Sequence, residues 1–234
     1  MPKRNQGSTI RSQSASVRRC LEALAQADMD RLYDILPELG VHRHEDFLPP
    51  LFALLNHTDR RKQEFAAHAL GAVGDPKALV PIQQKLTDPQ TSKGPGCESL
   101  QTALIDALGE IGEDAGVVIL KSLLDRKADP FASRRQELVV EALGMIAQQG
   151  GNKALNLLVD LLSAKTPALQ LTSITEISVA FWHRPNEIPG HVFSQLVALS
   201  TSRNAAVRVT AIAELETLAN LGCAKAKSLL FSDS

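Results

Sequence analysis

Apolar residues recur along the chain in short stripes that each lie on one face of a helix. Between residues 65 and 73 they are spaced one, three and four positions apart, which is the spacing of an amphipathic helix. A second stripe covers residues 79–86. Between the two stripes, Asp75-Pro76 has the chemistry of a turn that starts a helix. The pattern therefore predicts two consecutive helices joined by a tight turn.

The same pair of stripes returns further along the chain. The tripeptide Ala-Leu-Gly occurs in the first stripe at residues 69–71 and again at residues 107–109 and 142–144. The second copy lies 38 residues after the first, and the third lies 35 residues after the second. A motif that repeats at this interval is typical of stacked helix pairs, each unable to bury its apolar face alone. The sequence predicts an all-α fold, a right-handed α-solenoid of about six HEAT-like helix pairs.

The strength of the repeat divides the chain into segments. Residues 16–234 are predicted to form one repeat domain, because neighbouring repeats stabilise each other without an independent core. The basic, polar residues 1–15 are predicted to be a flexible tail. Within the domain we expect capping repeats at 16–58 and 200–234, well-formed repeats at 59–165, and a degenerate repeat at 166–200.

Two stretches of sequence resemble a known family. RRKQEFAAHALGAVGDPKALVPIQQKLTD (residues 60–88) and SLQTALIDALGEIGEDAGVVILKSLLD (residues 99–125) are similar to HEAT-like repeats of the phycobilisome-lyase type. The resemblance implies a HEAT-like solenoid. Proteins with such repeats include bilin-lyase subunits, accessory proteins of phycobilisome turnover, deoxyhypusine hydroxylase, alkylpurine DNA glycosylases and scaffolds. The hydroxylase is excluded here, because only His44-Glu45 supplies the His-Glu pair that its irons require in several repeats.

The composition of the chain indicates its cellular compartment and the classes of partner that it can bind. The formal net charge is −1, which argues against a domain that coats phosphate backbones, so a nucleic-acid partner is not expected. Three widely separated cysteines fit a reduced, cytoplasmic protein better than a disulfide framework. No apolar run reaches the length of a membrane span, so no membrane association is expected.

The sequence contains no convergent set of catalytic residues. It has no nucleophile elbow, no phosphate-binding loop and no group with the spacing of metal ligands, so we expect no enzyme activity, no cofactor and no metal. The weak candidate for a reactive thiol is Cys97, which lies in the irregular segment DPQTSKGPGCES near a predicted helix start. The alternative is that Cys97 is a small residue that opens the next helix.

The surface of the array is the expected binding site. In such solenoids we expect the second helix of each pair to line the concave side, so polar positions on those helices are candidate partner contacts. These are Gln83, Gln84, Lys85, Lys121, Asn156, Asp160 and Gln195. Trp182-His183-Arg184 adds an aromatic and arginine cluster of the kind enriched at interface hot spots. Alternatively, Phe181-Trp182 closes the core of a degenerate repeat.

Three functional hypotheses follow. The first is a non-enzymatic scaffold or adaptor that binds another protein through the concave face. The second, implied by the family resemblance alone, is a subunit of a bilin lyase or an accessory protein of phycobilisome turnover, whose partner would be a phycobiliprotein. The third is a nucleic-acid-binding HEAT-like protein. The chain itself is expected to be a monomer or a weak homodimer.

Overall fold

The computed structural model describes residues 14–125 and 132–231, and within these ranges the chain is built from α-helices and short 3-10 helices without a β-strand. The predicted all-α solenoid is confirmed. Residues 1–13, which include most of the predicted basic tail, lie outside the described ranges. The α-helices are α1 (Ala15–Gln26), α2 (Met29–His42), α3 (Leu48–Leu55), α4 (Arg60–Val73), α5 (Leu79–Thr87), α6 (Cys97–Ile111), α7 (Asp114–Leu124), α8 (Ala132–Gln148), α9 (Asn152–Leu161), α10 (Pro167–Ala180), α11 (Gly190–Leu199), α12 (Ala205–Asn220) and α13 (Ala224–Phe231). The 3-10 helices are Glu45–Phe47, Pro76–Ala78 and Pro185–Glu187.

The helices form two layers. The first helices of the pairs, α2, α4, α6, α8, α10 and α12, pack on one another in chain order, and we call them the first-helix layer. The second helices, α3, α5, α7, α9, α11 and α13, form the second-helix layer. Each second helix from α3 to α11 packs on the first helix of the next pair. With α1 packed on α2 at the start of the array, the described chain contains the six predicted pairs.

Local sequence sets the helix boundaries. The side chain of Asp59 accepts a hydrogen bond from the backbone N–H of Arg61 at 3.0 Å, and Asp75 caps its helix in the same way. At the other end of α4, Gly74 has a φ of 69°, a left-handed conformation that glycine adopts without strain. The pair α4–α5 is therefore delimited by an aspartate before each of its helices and a glycine between them.

The Ala-Leu-Gly glycines allow close contact between the first helices. A Cβ atom on Gly71 would lie 2.9 Å from the Cα of Ala107, and one on Gly109 would lie 3.0 Å from the Cα of Ala142. Real Cβ atoms do not approach backbone atoms so closely. The repeated glycine is therefore a packing residue, and it brings the backbones of neighbouring first helices into contact.

The spacing of the two layers differs. Each first helix lies close to the first helix of the next pair, whereas consecutive second helices come close to each other at few positions. The difference reflects the small residues between neighbouring first helices. The expectation that the second helices line the concave side stays a prediction.

Buried aliphatic side chains form one continuous core between the layers, from Val17 in α1 to Ala226 in α13. Continuity of this kind is what an array stabilised by neighbouring repeats requires. None of the helices in the described part of the chain is long and apolar enough to cross a membrane.

Candidate functional site

The predicted partner residues lie on the second-helix layer. Gln83, Gln84, Lys121, Asn156, Asp160 and Gln195 are all exposed, on α5, α7, α9 and α11. Two exposed valines on the same layer, Val80 and Val118, were not included in the sequence prediction. They are 38 residues apart, the same spacing as Gln83 and Lys121, so the repeat register could have identified them.

Lys85 differs from the other candidates. Only 12% of its side chain is exposed, and its Nζ lies 3.9 Å from a carboxylate oxygen of Asp88. The lysine is directed along the end of α5 because the helix stops at Thr87 and the following aspartate attracts the ammonium group. Lys85 therefore presents little of its charge to a partner.

The cluster at 182–184 divides into two parts. Trp182 is 49% exposed and His183 is exposed, so both are accessible to a partner. By contrast, Arg184 donates hydrogen bonds to the carbonyl oxygens of Ala147 and Gln148, both at 3.2 Å. Its guanidinium also lies 5.6 Å from the ring centre of Phe181, which is buried. Arg184 thus fixes the end of α8 to the next pair.

Cys97 begins α6 and is largely buried, and it is the one buried apolar residue of the described chain outside the continuous core. It lines an open groove of about 690 Å³ on the first-helix layer, together with His68, Glu98 and Thr102. The thiol thus lies at the edge of a surface groove, beside a histidine from the preceding first helix.

A second cavity adjoins this groove. Its volume is about 110 Å³, and it lies between α6 and α8. Glu98 and Thr102 line both cavities, while Arg134 and Arg135 line only the second one. The two cavities together bring a thiol, an imidazole, a carboxylate and two guanidinium groups to the starts of two neighbouring helices.

A row of carboxylates continues from the groove along the first-helix layer. Asp106, Glu141 and Glu176 occupy the same repeat position on α6, α8 and α10, each 35 residues from the last. His68 holds this position on α4, and its charge acts on Asp106. Glu214 on α12 acts on Glu176. We call Asp106, Glu141, Glu176 and Glu214 the carboxylate row.

Burial raises the pKa values of Asp106, Glu176 and Glu214, three members of the row. Burial is the main reason that the pKa of Glu176 is raised to about 7, and the charges of Glu141 and Glu214 raise it further. Burial also raises the pKa of Asp106, while the charge of His68 opposes this effect. The row is thus a partly dehydrated acidic surface.

Close packing explains part of this burial. The carboxylate of Glu176 lies against Gly144 of the preceding first helix, in the space that a Cβ would occupy, and Glu110 lies against Gly71 in the same way. The glycines therefore accommodate acidic side chains from the next helix as well as its backbone. The sequence analysis did not identify the row. The acid that precedes Ala-Leu-Gly in two repeats was the available signal.

Comparison with known proteins supports the fold. No family model and no curated protein matches the sequence. Among solved structures, the chain is similar to the complex of CpcE and CpcF of phycocyanin lyase from Nostoc sp. PCC7120, with 20% identity and a TM-score of 0.52. The alignment covers 97% of this chain and 86% of that one. The chain thus shares the HEAT-like fold of a phycocyanin lyase complex, although membership of a sequence family is not shown.

Two further structures match less closely. Human deoxyhypusine hydroxylase in complex with glycerol has 16% identity and a TM-score of 0.40, covering 84% of this chain and 83% of that one. An engineered protein has 18% identity and a TM-score of 0.40, covering 88% of this chain and 98% of that one.

The similarity to the lyase complex corrects one prediction. The sequence analysis expected no enzyme activity because it found no catalytic motif. The solved structure that shares this fold across nearly the whole chain belongs to a lyase, which is an enzyme. The absence of a familiar motif therefore does not support a non-enzymatic assignment.

Proposed function

We propose that this chain is a subunit of a bilin-lyase type of complex, which holds a bilin on its first-helix layer and a protein partner on its second-helix layer. The observation that carries the proposal is the groove of about 690 Å³ beside His68 and Cys97, at the end of the carboxylate row. The fold shared with the phycocyanin lyase complex supports this assignment over other ligand classes.

The groove suits a linear tetrapyrrole in size and chemistry. Small-molecule sites usually have volumes of about 300–1,000 Å³ and contain a few convergent polar groups. A bilin has pyrrole N–H donors along one edge and two propionate groups on the other. Asp106 lies one helical turn beyond Thr102 at the end of the groove, and Arg134 lines the adjoining cavity. From these positions Asp106 can accept hydrogen bonds from pyrrole N–H groups that extend past the groove, while Arg134 can pair with a propionate. The two side chains lie close enough for the charge of Arg134 to lower the pKa of Asp106.

The thiol and the imidazole lie on the same groove. Cys97 is shielded from bulk water, and His68 lies on the facing helix. In the proposed complex these groups contact the bilin, and the second-helix layer contacts the acceptor protein. Mixed polar side chains and the exposed pair Val80 and Val118 suit an interface with a protein surface.

Titration with phycocyanobilin tests the bilin site. Saturable binding, followed by the visible absorbance of the pigment, is expected for the full chain. Asp106→Asn and Arg134→Ala should each weaken binding about 10-fold, because each removes one charged hydrogen-bonding partner. Lys121→Glu, on the opposite layer, is the matched control and should bind the pigment normally. The proposed site is wrong if the pigment does not bind or if all three variants bind it equally.

A separate capture experiment tests the partner face. Gln83→Glu combined with Lys121→Glu changes the charge of two equivalent positions by −3 in total. The double variant should capture less apo-phycocyanin than the wild type while its thermal stability stays the same. Asp30→Asn, an exposed change on α2, is the control. Normal capture by the double variant would contradict the assignment of this face.

A further inference from the structure

The last first helix, α12, exposes the face that earlier first helices pack against their successors. Gly71 of α4 contacts α6, Gly109 of α6 contacts α8, and Gly144 of α8 contacts α10. Within the described residues no further first helix packs on the equivalent face of α12. The residues on this face are therefore exposed in the structure, and their composition can be compared with that of the earlier repeats.

The repeat register identifies those residues. A shift of 72 residues superposes the buried Val139, Leu143 and Ile146 of α8 on Ala211, Leu215 and Leu218 of α12, which are also buried. The successor-facing stripe of each helix consists of the glycine and the residues four and eight positions before it. These stripes are Gln63, Ala67 and Gly71 in α4, Gln101, Ile105 and Gly109 in α6, and Gln136, Val140 and Gly144 in α8. The corresponding stripe of α12 is Arg208, Ile212 and Glu216.

The composition of this stripe differs from that of the earlier stripes, and it is not fully polar. Glu216 replaces the glycine whose missing side chain lets two first helices touch. At the same time Ile212 is 38% exposed and the adjacent Val209 is 62% exposed. Ile212 thus faces outward at the position where Ile105 and Val140 are buried in earlier repeats, and Val209 adds a second exposed aliphatic side chain three residues before it.

The charges on the stripe are arranged symmetrically. Arg208 lies four residues before Ile212, and Glu216 lies four residues after it, on the same helix face. When two copies of α12 cross antiparallel at Ile212, a two-fold axis brings each Arg208 beside the Glu216 of the other copy. Self-complementary patches of this kind are the requirement of a closed two-fold dimer.

We propose that α12 is a homodimer interface, in which the Ile212 side chains of two copies meet and are flanked by two Arg208–Glu216 ion pairs. Both charged groups are available. Among the described residues neither has an ion-pair partner, and Arg208 uses one N–H group to donate to the carbonyl oxygen of Ser202 at 2.7 Å. Glu216 is exposed.

The neighbouring helix enlarges the apolar part of this surface. Leu229 and Leu230 of α13 are 45% and 36% exposed, and α13 packs directly on α12. A face of one 16-residue helix and part of a second, shorter one is small for a permanent dimer, which usually buries about 800 Å² per partner or more. We therefore expect a reversible dimer that forms at micromolar concentrations.

Sedimentation velocity of the full chain from about 1 to 200 μM tests the interface. The wild type should shift from monomer to dimer across this range. Ile212→Glu should remain monomeric, because it places two like charges at the two-fold axis. Val41→Glu is the control, since Val41 is 79% exposed but lies on α2, at the other end of the first-helix layer. A wild type that is monomeric throughout, or an Ile212→Glu variant that dimerises normally, would overturn the proposal.

A charge swap tests the antiparallel arrangement. Arg208→Glu and Glu216→Arg should each weaken dimerisation at least 10-fold, because each places like charges opposite one another. The double variant restores two opposite-charge pairs and should recover most of the wild-type affinity. A merely local role of either side chain would not produce this recovery. If the double variant associates as weakly as the single ones, the proposed pairing is wrong. The experiment needs no bilin or acceptor protein, so its outcome is independent of the proposed lyase function.

Discussion

Positions 71 and 109 require glycine, because there is no room for a side chain there. In both places a backbone atom of the next first helix occupies the space around the position of a Cβ. The close contact it allows gives the first-helix layer its short spacing and brings the carboxylate row under the cover of neighbouring helices. Glycine at these positions thus determines how closely the first helices pack and, through this packing, how far the carboxylate row is buried.

Adding a methyl group at these glycines should destabilise the array. Gly109→Ala forces a Cβ to within 3.0 Å of the Ala142 backbone, and we expect a net cost of about 1–3 kcal/mol, measured by urea unfolding. Gly190→Ala is the control, because no atom lies within 4 Å of the added Cβ. Equal effects of the two substitutions would show that close approach is not what the Ala-Leu-Gly glycine provides.

Glu176 makes stability depend on pH. Its pKa of about 7 in the folded chain is above the usual 4.5, so the folded state binds the proton more tightly than the unfolded state. The contribution of Glu176 to stability is therefore greatest below pH 4.5, the usual pKa of the group, and it falls as the pH rises from 4.5 to about 7. Glu176→Gln removes this loss.

The variant Glu176→Gln should be more stable than the wild type at pH 8, by about 1 kcal/mol after allowance for solvent screening. The difference should disappear near pH 4.5, where the carboxyl is protonated in the folded wild type. Thermal melts at several pH values measure it. Glu22→Gln, an exposed change on α1, is the control. Parallel stability curves for Glu176→Gln and the wild type would contradict the account.

At the scale of elements, the connections between pairs are held by specific side chains. Arg184 binds the last carbonyl groups of α8, and Asn186 accepts a hydrogen bond from the backbone N–H of Ala224 at 2.8 Å, at the start of α13. The 181–189 segment therefore joins three successive helix pairs. The sequence analysis treated part of this segment as a candidate partner cluster, and the structure shows that it also connects neighbouring pairs.

The connector can be tested apart from any interface. Arg184→Ala should lower the free energy of unfolding by about 1–3 kcal/mol, because it removes the charged donor to two carbonyl groups at the end of α8, one of them partly buried. His183→Ala removes an exposed side chain from the same segment and should change stability by less than about 0.5 kcal/mol. Chemical denaturation compares them. The structural assignment of Arg184 fails if both variants unfold alike.

Sequence periodicity predicts elements better than it predicts sites. The helix pairs from α4 to α9 follow from two apolar stripes in each repeat, and the turn at Asp75 follows from capping chemistry. Contacts between repeats are harder to predict, because the burial of the carboxylate row depends on how closely neighbouring first helices pack and not on the sequence around each acid. Lys85 illustrates the same limit. Its helical position was predicted, but its approach to Asp88 depends on where α5 ends.

At the scale of the whole molecule, the two layers have different surfaces. The first-helix layer presents a groove and a partly dehydrated carboxylate row. The second-helix layer presents mixed polar groups and two exposed valines. This division is the basis for placing a small ligand on one layer and a protein on the other.

Bilin transfer tests this division of tasks most directly. The full chain is incubated with phycocyanobilin and apo-phycocyanin, and the covalent pigment on the acceptor is measured by its fluorescence in a denaturing gel. The account predicts faster and more complete attachment than the spontaneous reaction gives. Asp106→Asn should reduce this increase in attachment, because it weakens bilin binding. Gln83→Glu combined with Lys121→Glu should reduce it because the double variant binds the acceptor protein less tightly. Attachment at the spontaneous rate, with the wild-type chain present, would contradict the account.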